Sequence, residues 1–340
     1  MRLLIFTQKI DSKDSTLGFF HSWVNELAKK SERIEIICLE NGSFDLPKNV
    51  IVYSLGKEED LSKFSYIINF YKYLKLISGS YDRVFVHMNQ EYVLLAGLYW
   101  RFKGIPVYLW RNHPNGSVLT GFAVLLSTKV FCTSTGSFTA RFKKSIIMPV
   151  GVDTNLFRYK EAVVRKKYSV CMVGRISPIK HVELALEAVR EIVSSGGQVS
   201  LSIIGNPTEK DVKYYFNLKK YVEENNLSTC VSFTEAVSPD NLPEIYNSHE
   251  ICLNLTPSGS FDKTIVEAAA CGAIPLVSNQ SLRQILPEAC LSSPDVQSIG
   301  QGIQRLFDPS IRIEIRSSLE KFIKSNSISS LMIELLKEFE

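Results

Sequence analysis

Two cations stand where the sequence changes from a strand-like to a helix-like pattern. Arg175 follows the apolar run "YSVCMVG", and Lys180 comes five residues later, at the start of an amphipathic segment. A forked guanidinium and a mobile ammonium beside a helix N-terminus suit a diphosphate. The alternative is a solvated loop with a Ser-Pro helix start. Taken alone, the pair leaves both interpretations open.

A carboxylate stands in a second stretch, "SGSFDKTIVEAAACG", residues 258–272. A Ser/Gly turn is followed there by a short helix of small residues that ends on glycine. The backbone N–H groups at such a helix start attract phosphate and sugar oxygens. Glu267 lies one turn into this helix, where packing gives no reason for a charge. A plain helix-start charge is the alternative.

The elements that must position these residues are strands and helices in alternation. Apolar runs such as "RLLIFTQ", "RIEIICLE" and "DRVFVHM" alternate with amphipathic segments, and the rhythm resumes after residue 153. Alternation of this kind predicts parallel sheets covered by helices on both faces. We therefore predict two doubly wound α/β domains, residues 1–150 and 151–320. A C-terminal helix, residues 321–340, is predicted to cross back to the first domain.

Composition narrows the class of protein. The chain has 340 residues, of which 45% are hydrophobic, and no apolar run is long enough for a membrane helix. The N-terminus turns polar too early for a signal peptide, so we predict a cytoplasmic protein. Seven scattered cysteines indicate buried free thiols, and five histidines without a close pair give zinc no site. We predict no metal and no cofactor.

Charge is shared unevenly between the two halves. Residues 1–150 hold 19 Lys and Arg against 12 Asp and Glu, net +7, whereas residues 151–340 hold 20 against 23, net −3. The basic half also contains aromatic, lysine-bearing stretches, "FSYIINFYKYLKLISGSYDR" and "YWRFKG". Such stretches are compatible with attachment to an anionic membrane surface at its inner face and equally with solvated lysines and core aromatics, and both interpretations stay open. Nucleic acid is not predicted as a partner.

At this point the sequence resembles a known family. "MVGRISPIKHVELALEAV", "LSIIGNP", "VSFTEAVSPDNLPEIYNSHEICLNLTPS" and "IVEAAACGAIPLVS" look like the nucleotide-binding domain of the retaining GT-B glycosyltransferases of family four. "GVDTNLF" is similar to that family's interdomain signature. The resemblance covers essentially the whole chain and is strongest over residues 149–280. It implies two Rossmann-like domains that face each other across a cleft.

The resemblance also implies roles for particular residues. Arg175 and Lys180 match the pair that grips the donor's diphosphate in place of a divalent metal, and Glu267 matches the glutamate that takes the ribose hydroxyls. His113, past a strand end, is implied to act near the reacting sugar. His87 and Asn112 are candidates on the acceptor side. The implied donor-binding set is Gly18, Gly174, Arg175, Lys180, Gly259, Ser260, Phe261, Asp262, Lys263 and Glu267.

One position departs from the family pattern. The family usually has a second glutamate eight residues before Glu267, in contact with the donor sugar, and Gly259 stands there in this chain. Asp262 would replace that contact by accepting from sugar hydroxyls. Lys263 would replace it by meeting a phosphate or an acidic sugar. The two alternatives predict different donors.

The function that the resemblance implies is sugar transfer with retention of configuration and without metal. The donor would be a nucleotide diphosphate sugar, and the acceptor a saccharide or a lipid-linked molecule, in cell-surface polysaccharide or glycolipid synthesis. A sugar-nucleotide epimerase or hydrolase of the same fold is one alternative. A non-catalytic nucleotide-sugar binding module, suggested by Gly259, is another. A dinucleotide oxidoreductase is disfavoured because neither half has G-x-G-x-x-G after its first strand.

Overall fold

The computed structural model describes all 340 residues. The chain forms two compact units, the first of residues Met1–Pro149 with Leu331–Glu340 and the second of residues Val150–Ser330. Each unit contains one parallel sheet with helices packed on it. The prediction of two α/β, Rossmann-like units is confirmed.

The first unit is built on seven parallel strands. They are β1 Arg2–Ile10, β2 Arg33–Asn41, β3 Val50–Ser54, β4 Arg83–His87, β5 Val107–Trp110, β6 Lys129–Cys132 and β7 Ser145–Ile147. Their order across the sheet is β3-β2-β1-β4-β5-β6-β7. In the centre, Ile5 is in register with Ile36 on one side and Phe85 on the other. These near-continuous apolar strands are typical of a parallel sheet buried on both faces.

Four helices of the first unit connect these strands. They are α1 Phe19–Ala28, α2 Lys63–Leu76, α3 Glu91–Phe102 and α4 Val118–Leu126. The ring of Phe6 packs on Phe70 of α2 and on Tyr92 and Trp100 of α3, so these helices cover one face. On the other face, residues 331–340 bring Phe339 against the rings of strands β4, β5 and β6.

The second unit is built on five parallel strands. They are β8 Ser169–Val173, β9 Ser200–Ile204, β10 Val231–Thr234, β11 Ile251–Asn254 and β12 Ile274–Val277. Their order is β10-β9-β8-β11-β12, so the order reverses between β8 and β11. Ligands of open parallel sheets bind in the crevice outside the carboxyl ends of the strands at such a reversal. The loops after β8 and β11 are therefore the expected location of a site.

Seven helices follow in the remainder of the chain. They are α5 Val182–Ser194, α6 Val212–Glu224, α7 Leu242–Ser248, α8 Lys263–Ala270, α9 Val296–Leu306, α10 Pro309–Ser325 and α11 Ile328–Phe339. Helix α5 buries Ala185, Leu186, Val189 and Ile192, which form one apolar stripe along the helix. None of the helices is long and apolar enough to span a bilayer. All seven cysteines are free thiols, and six of them are buried.

The boundaries of the second unit differ in part from the predicted 151 and 320. The chain enters the unit at Val150, one residue before the predicted position, but leaves it only after Ser330. Helix α10 runs to Ser325 and buries Ile315, Leu319 and Phe322 in the core of this unit. The C-terminal segment that belongs to the first unit, residues 331–340, is thus shorter than the predicted residues 321–340. The prediction failed because an amphipathic stripe in a sequence does not show against which core the helix packs.

Candidate functional site

The carboxyl ends of β8 and β9 approach each other closely, and this contact shapes the loop after β8. Gly205, directly after β9, has a φ of +153°, and a Cβ there would lie 1.9 Å from the carbonyl oxygen of Gly174. Only glycine is accommodated at such a contact. The loop that carries Arg175 and Lys180 therefore begins at a fixed point, beside the carboxyl end of β11.

The two predicted cations line one shallow cavity at this edge. Gly174, Arg175, Lys180 and Asn254 are among the residues around it. Arg175 is exposed and makes no ion pair within the chain. Lys180 ends a 3₁₀ turn immediately before α5, and its Nζ donates to Thr256 Oγ1 at 2.9 Å and to Asp262 Oδ2. One guanidinium is thus open to an anion, and one ammonium is held by a fixed network.

Asp262 is the centre of that network. Besides the Lys180 ammonium, its Oδ2 accepts from Asn254 Nδ2 at 2.9 Å and from Thr256 Oγ1 at 2.7 Å. Burial alone would raise the pKa of Asp262, but the Lys180 charge and the hydrogen bonds outweigh it and lower this pKa below its ordinary value. The aspartate is therefore a charged, firmly held group beside the lysine.

Sequence reasoning missed Asn254 and Thr256. They follow the apolar run of β11, and the reversal of strand order brings this strand next to β8. Polar residues at the end of a strand were the signal that could have revealed them. Their partners are not evident in the sequence, however, because Thr256 accepts from Lys180, 76 residues away, and Asn254 donates to Asp262, 8 residues away.

Helix α8 begins directly after Asp262 with its first N–H groups uncapped by a side chain. Asp262 is at the N-cap position, yet its carboxylate makes no capping hydrogen bond. An aspartate at this position commonly accepts from the N–H groups of the first turn. Because the carboxylate is turned to Lys180 instead, the helix start keeps donors for a bound anion.

Glu267 lies in the second turn of α8, where its side chain is buried. The residue is 8% exposed, and Tyr246, fully buried on α7, donates from its hydroxyl to Glu267 Oε2 at 3.2 Å. Burial raises the pKa of Glu267 to about 7, although the Lys263 charge and the Tyr246 hydrogen bond oppose the rise. This carboxyl therefore changes charge near neutral pH. Tyr246 also went unnoticed in the sequence.

Lys263 does not take the position that the sequence suggested for it. Its Nζ donates to the carbonyl oxygens of Val150 and Gly151, the latter at 3.3 Å, where the chain enters the second unit. Burial lowers the pKa of Lys263 to about 7. The side chain is engaged by this backbone, which does not support the suggestion that it meets a phosphate or an acidic sugar.

The remaining loop residues contribute backbone rather than side chains. Gly259 has a φ of +124°, a conformation that would strain a glutamate at this position. The carbonyl of Ser260 accepts from Asn279 Nδ2 at 2.6 Å. Phe261 is buried and stacks on Phe322 at 5.9 Å between ring centroids. The Phe261 ring belongs to the core, so a donor-binding role of this residue would rest on its backbone and stays a prediction.

In the first unit, His87 is a core residue. It is 1% exposed, its Nδ1 lies 3.1 Å from Thr7 Oγ1, and its ring stacks on Phe20 at 4.1 Å. The pleat of β4 turns this histidine under α1, although it ends the strand. Its predicted place on the acceptor side is corrected accordingly.

The other predictions in the first unit lie in loops. His113 is exposed after β5, and its Nδ1 lies 3.0 Å from the backbone N of Asn115. Asn112 accepts from the backbone N–H of Thr133 at 3.3 Å. Gly18 precedes α1 with a φ of −56°, which any residue adopts, so its conformation gives no reason for glycine. The roles of His113, Asn112 and Gly18 stay predictions.

No group of three or more His, Cys, Asp or Glu side chains is arranged to hold a metal ion. The second unit presents three groups that attract an anion: the Arg175 guanidinium, the fixed Lys180 ammonium and the start of α8. The buried carboxylate of Glu267 lies one turn further along α8. Carboxylates accept well from pairs of hydroxyl groups. Groups of these kinds suit a molecule with both phosphates and hydroxyls.

Comparisons with known proteins agree with this arrangement. Residues 153–289 match the family model described as glycosyl transferases group 1. A D-inositol 3-phosphate glycosyltransferase of Acidothermus cellulolyticus is 25% identical over 187 residues, which are 50% of this chain and 42% of that protein. The chain thus aligns with less than half the length of this relative.

Solved structures share the architecture over the full chain. Anabaena HepE in complex with UDP has a TM-score of 0.80 at 15% identity, covering 100% of this chain and 99% of that one. Sucrose-phosphate synthase from Thermosynechococcus elongatus has a TM-score of 0.74 at 15% identity, with coverage of 100% and 99%.

The fold is the GT-B fold of these solved structures. The second unit carries residues 153–289, the segment that matches the family model described as glycosyl transferases group 1. The fold confirms the resemblance that the sequence shows.

Proposed function

We propose that the chain transfers a sugar from a nucleotide diphosphate sugar to a saccharide or lipid-linked acceptor. The observation that carries this proposal is the convergence of Arg175, the fixed Lys180 and the open start of α8 at the reversal between β8 and β11. A diphosphate satisfies all three groups at once. The UDP complex of Anabaena HepE supports uridine diphosphate as the first nucleotide to test.

The chemistry follows from where charge develops. When the sugar leaves the donor, negative charge accumulates on the β-phosphate, and Arg175 and Lys180 stabilise that charge more strongly in the transition state than before it. These two side chains supply the positive charge that a divalent metal would otherwise provide, so we propose a metal-independent reaction. We also propose retention, with the leaving phosphate accepting the proton of the incoming hydroxyl.

Glu267 is proposed to bind the ribose. Its buried carboxylate already accepts from Tyr246, and its remaining lone pairs suit two neighbouring hydroxyl groups. We propose that the first unit binds the acceptor, and that His113, exposed after β5, acts near the reacting sugar.

A surface of the first unit supports a membrane-linked acceptor. Helices α2 and α3 are neighbours, since the hydroxyl of Tyr71 donates to the carbonyl of Leu95 at 3.0 Å. Together with α4 they expose large apolar side chains that we call the apolar face: Phe64, Ile67, Ile68, Tyr71, Leu76, Leu95, Leu98, Tyr99, Phe102, Val118, Leu119, Phe122 and Leu125. An exposed apolar set of this extent commonly marks an interaction surface.

The excess of positive charge on these helices favours an anionic partner. Residues 63–103 include Lys63, Lys72, Lys75, Arg101 and Lys103 on or beside α2 and α3, whereas Glu91 is the acidic residue of these two helices. Apolar side chains among cations suit the interface of an anionic bilayer. We propose that this face docks on such a membrane, in the synthesis of a surface polysaccharide or glycolipid.

The test is to incubate the protein with UDP-sugars, with and without lipid-linked and saccharide acceptors, and to analyse the products. Transfer to an acceptor with retention of configuration is the expected result. An epimerised donor, or hydrolysis that acceptors do not suppress, would replace the proposal with the corresponding alternative. Binding without any turnover would identify a nucleotide-sugar binding module.

A further inference from the structure

We infer that the second unit holds a second ligand site, for a small anion that carries an apolar chain. The site is a cavity of about 420 Å³ between α8 and α10. Cavities of about 300–1,000 Å³ with apolar walls and a few polar groups are typical of small-molecule sites. This cavity shares no residue with the one beside Arg175 and Lys180.

Most of the cavity wall is apolar. Helix α8 contributes two small side chains from its last turn, the start of β12 contributes one residue, and α10 contributes three: Ala269, Ala270, Ile274, Ile313, Leu319 and Ile323. The two alanines leave open the space that larger side chains would fill. A wall of this composition favours a ligand that removes hydrocarbon from water.

The polar part of the wall is Arg165, a half-buried guanidinium that makes no ion pair. Its Nε donates to the carbonyl of Asn247 at 3.2 Å and its Nη2 to the carbonyl of Cys271 at 3.1 Å, whereas no hydrogen bond uses Nη1. Burial lowers the pKa of Arg165, and the neighbouring Arg312 charge adds to this effect. The guanidinium nevertheless stays charged at neutral pH, so its open N–H groups suit an anion.

No carboxylate of the chain is placed to neutralise Arg165. Glu250, whose charge acts on it, accepts from Arg312 Nη1 at 2.5 Å and from the backbone N–H of Tyr168 at 2.7 Å. Glu320 in the cavity wall pairs with Arg316 at 3.2 Å. The wall thus holds three arginines against one glutamate, although residues 151–340 carry a net charge of −3.

The chain segment around Arg165 adds further positive charge. "RYKEAVVRKK", residues 158–167, has five Lys and Arg residues and a single acidic one, Glu161. The ring of Tyr159, also in the cavity wall, lies 5.5 Å from the guanidinium carbon of Arg165. An anion that approaches the cavity therefore meets a positive field.

The two parts of the wall together select the ligand. An inorganic phosphate would leave the apolar wall in contact with water, and a neutral hydrocarbon would leave Arg165 without a counter-charge. A phosphate or carboxylate joined to an alkyl chain satisfies both parts at once.

The experiment is calorimetric titration with octyl phosphate, inorganic phosphate and 1-octanol in buffer without vesicles, repeated in the presence of UDP. The proteins are the wild type, Arg165→Gln, Ala270→Leu and the control Arg190→Gln, an exposed arginine on α5. Arg165→Gln removes the charge but keeps an amide donor for the backbone carbonyls. Ala270→Leu keeps Arg165 and fills the cavity from α8. Melting temperatures establish that each variant is folded.

We expect octyl phosphate to bind the wild type about tenfold or more tightly than inorganic phosphate or 1-octanol does, because burial of about two CH₂ groups already accounts for a factor of ten. Arg165→Gln and Ala270→Leu should each weaken the binding of octyl phosphate about tenfold or more. Arg190→Gln should leave it unchanged, and UDP should not displace it.

Three results would overturn the inference: a wild type that does not bind octyl phosphate, inorganic phosphate that binds as tightly, or full binding in a folded Arg165→Gln or Ala270→Leu variant. Displacement of octyl phosphate by UDP would also overturn it, since the ligand would then lie in the cavity beside Arg175. A wild type that binds octyl phosphate but not UDP would support the second site and overturn the proposed function instead.

Discussion

At the scale of single residues, the site depends on how burial tunes two neighbouring charges on α8. Burial raises the pKa of Glu267 and lowers that of Lys263, each to about 7. The carboxylate form of Glu267 accepts from hydroxyls more strongly than the protonated form. Since this form replaces the acid as pH rises through 7, binding of a ribose should strengthen in the same range.

We therefore predict that the affinity for UDP increases about tenfold from pH 6 to pH 8 through Glu267 alone, as expected for one linked proton. Calorimetric titration at several pH values measures this. The control is Glu267→Gln, which keeps the titration of UDP, removes that of residue 267, and should show a flatter profile. Parallel profiles for the two proteins would remove Glu267 from the ribose site.

Site residues could be predicted where they lie in or directly after a strand or helix that is recognisable in the sequence. Arg175 and Lys180 come after a clear strand, and Glu267 lies in a helix that follows a Ser/Gly turn. Thr256 and Tyr246 were not found, because their partners depend on which strands and helices become neighbours. His87 was misplaced, since the end of a strand does not show which face the last side chain takes.

At the scale of elements, the glycine contact between the ends of β8 and β9 fixes the loop of the two cations. We predict that Gly205→Ala destabilises the protein, measured as the free energy of unfolding in urea. A side chain at a left-handed φ costs about 1 kcal/mol or more, and the overlap with the Gly174 carbonyl adds about 1–3 kcal/mol.

The matched control is Gly196→Ala, where φ is +81° but no atom lies within 4 Å of the new Cβ. It should show the conformational cost alone. If both variants lose the same stability, the strand ends are less closely packed than the structure indicates. UDP affinity should fall further in Gly205→Ala, because displacement of Gly174 moves Arg175.

The elements themselves were largely predictable, but their assignment to units was not. Strand-like runs alternating with amphipathic segments are enough to predict parallel sheets. The end of the second unit was misplaced by ten residues, since Leu319 and Phe322 of α10 look the same in sequence whichever core they join. The order of the strands, which creates the site, also depends on non-local pairing.

At the scale of the whole molecule, the first unit combines the excess of positive charge with the apolar face. We predict that the protein sediments with anionic vesicles at low salt and is released as ionic strength rises. Phe102→Ser should weaken binding about tenfold or more, because this ring is 89% exposed and would insert into the interface.

The control is Phe216→Ser, a 62% exposed phenylalanine on α6 of the second unit, which should leave vesicle binding unchanged. Equal binding of the wild type to neutral and anionic vesicles would contradict the electrostatic part of the proposal. An equal effect of the two substitutions would contradict the assignment of the apolar face.

We propose that Arg175 and Lys180 hold a nucleoside diphosphate without a metal. Calorimetric titration of UDP in the presence of EDTA tests it most directly, with the wild type, Arg175→Ala and the control Arg190→Ala, an exposed arginine on α5. We predict that EDTA leaves wild-type binding intact, that Arg190→Ala behaves as the wild type, and that Arg175→Ala loses about 2–3 kcal/mol of binding free energy with an unchanged melting temperature. Binding that EDTA abolishes, or that the folded Arg175→Ala variant retains in full, would contradict the claim.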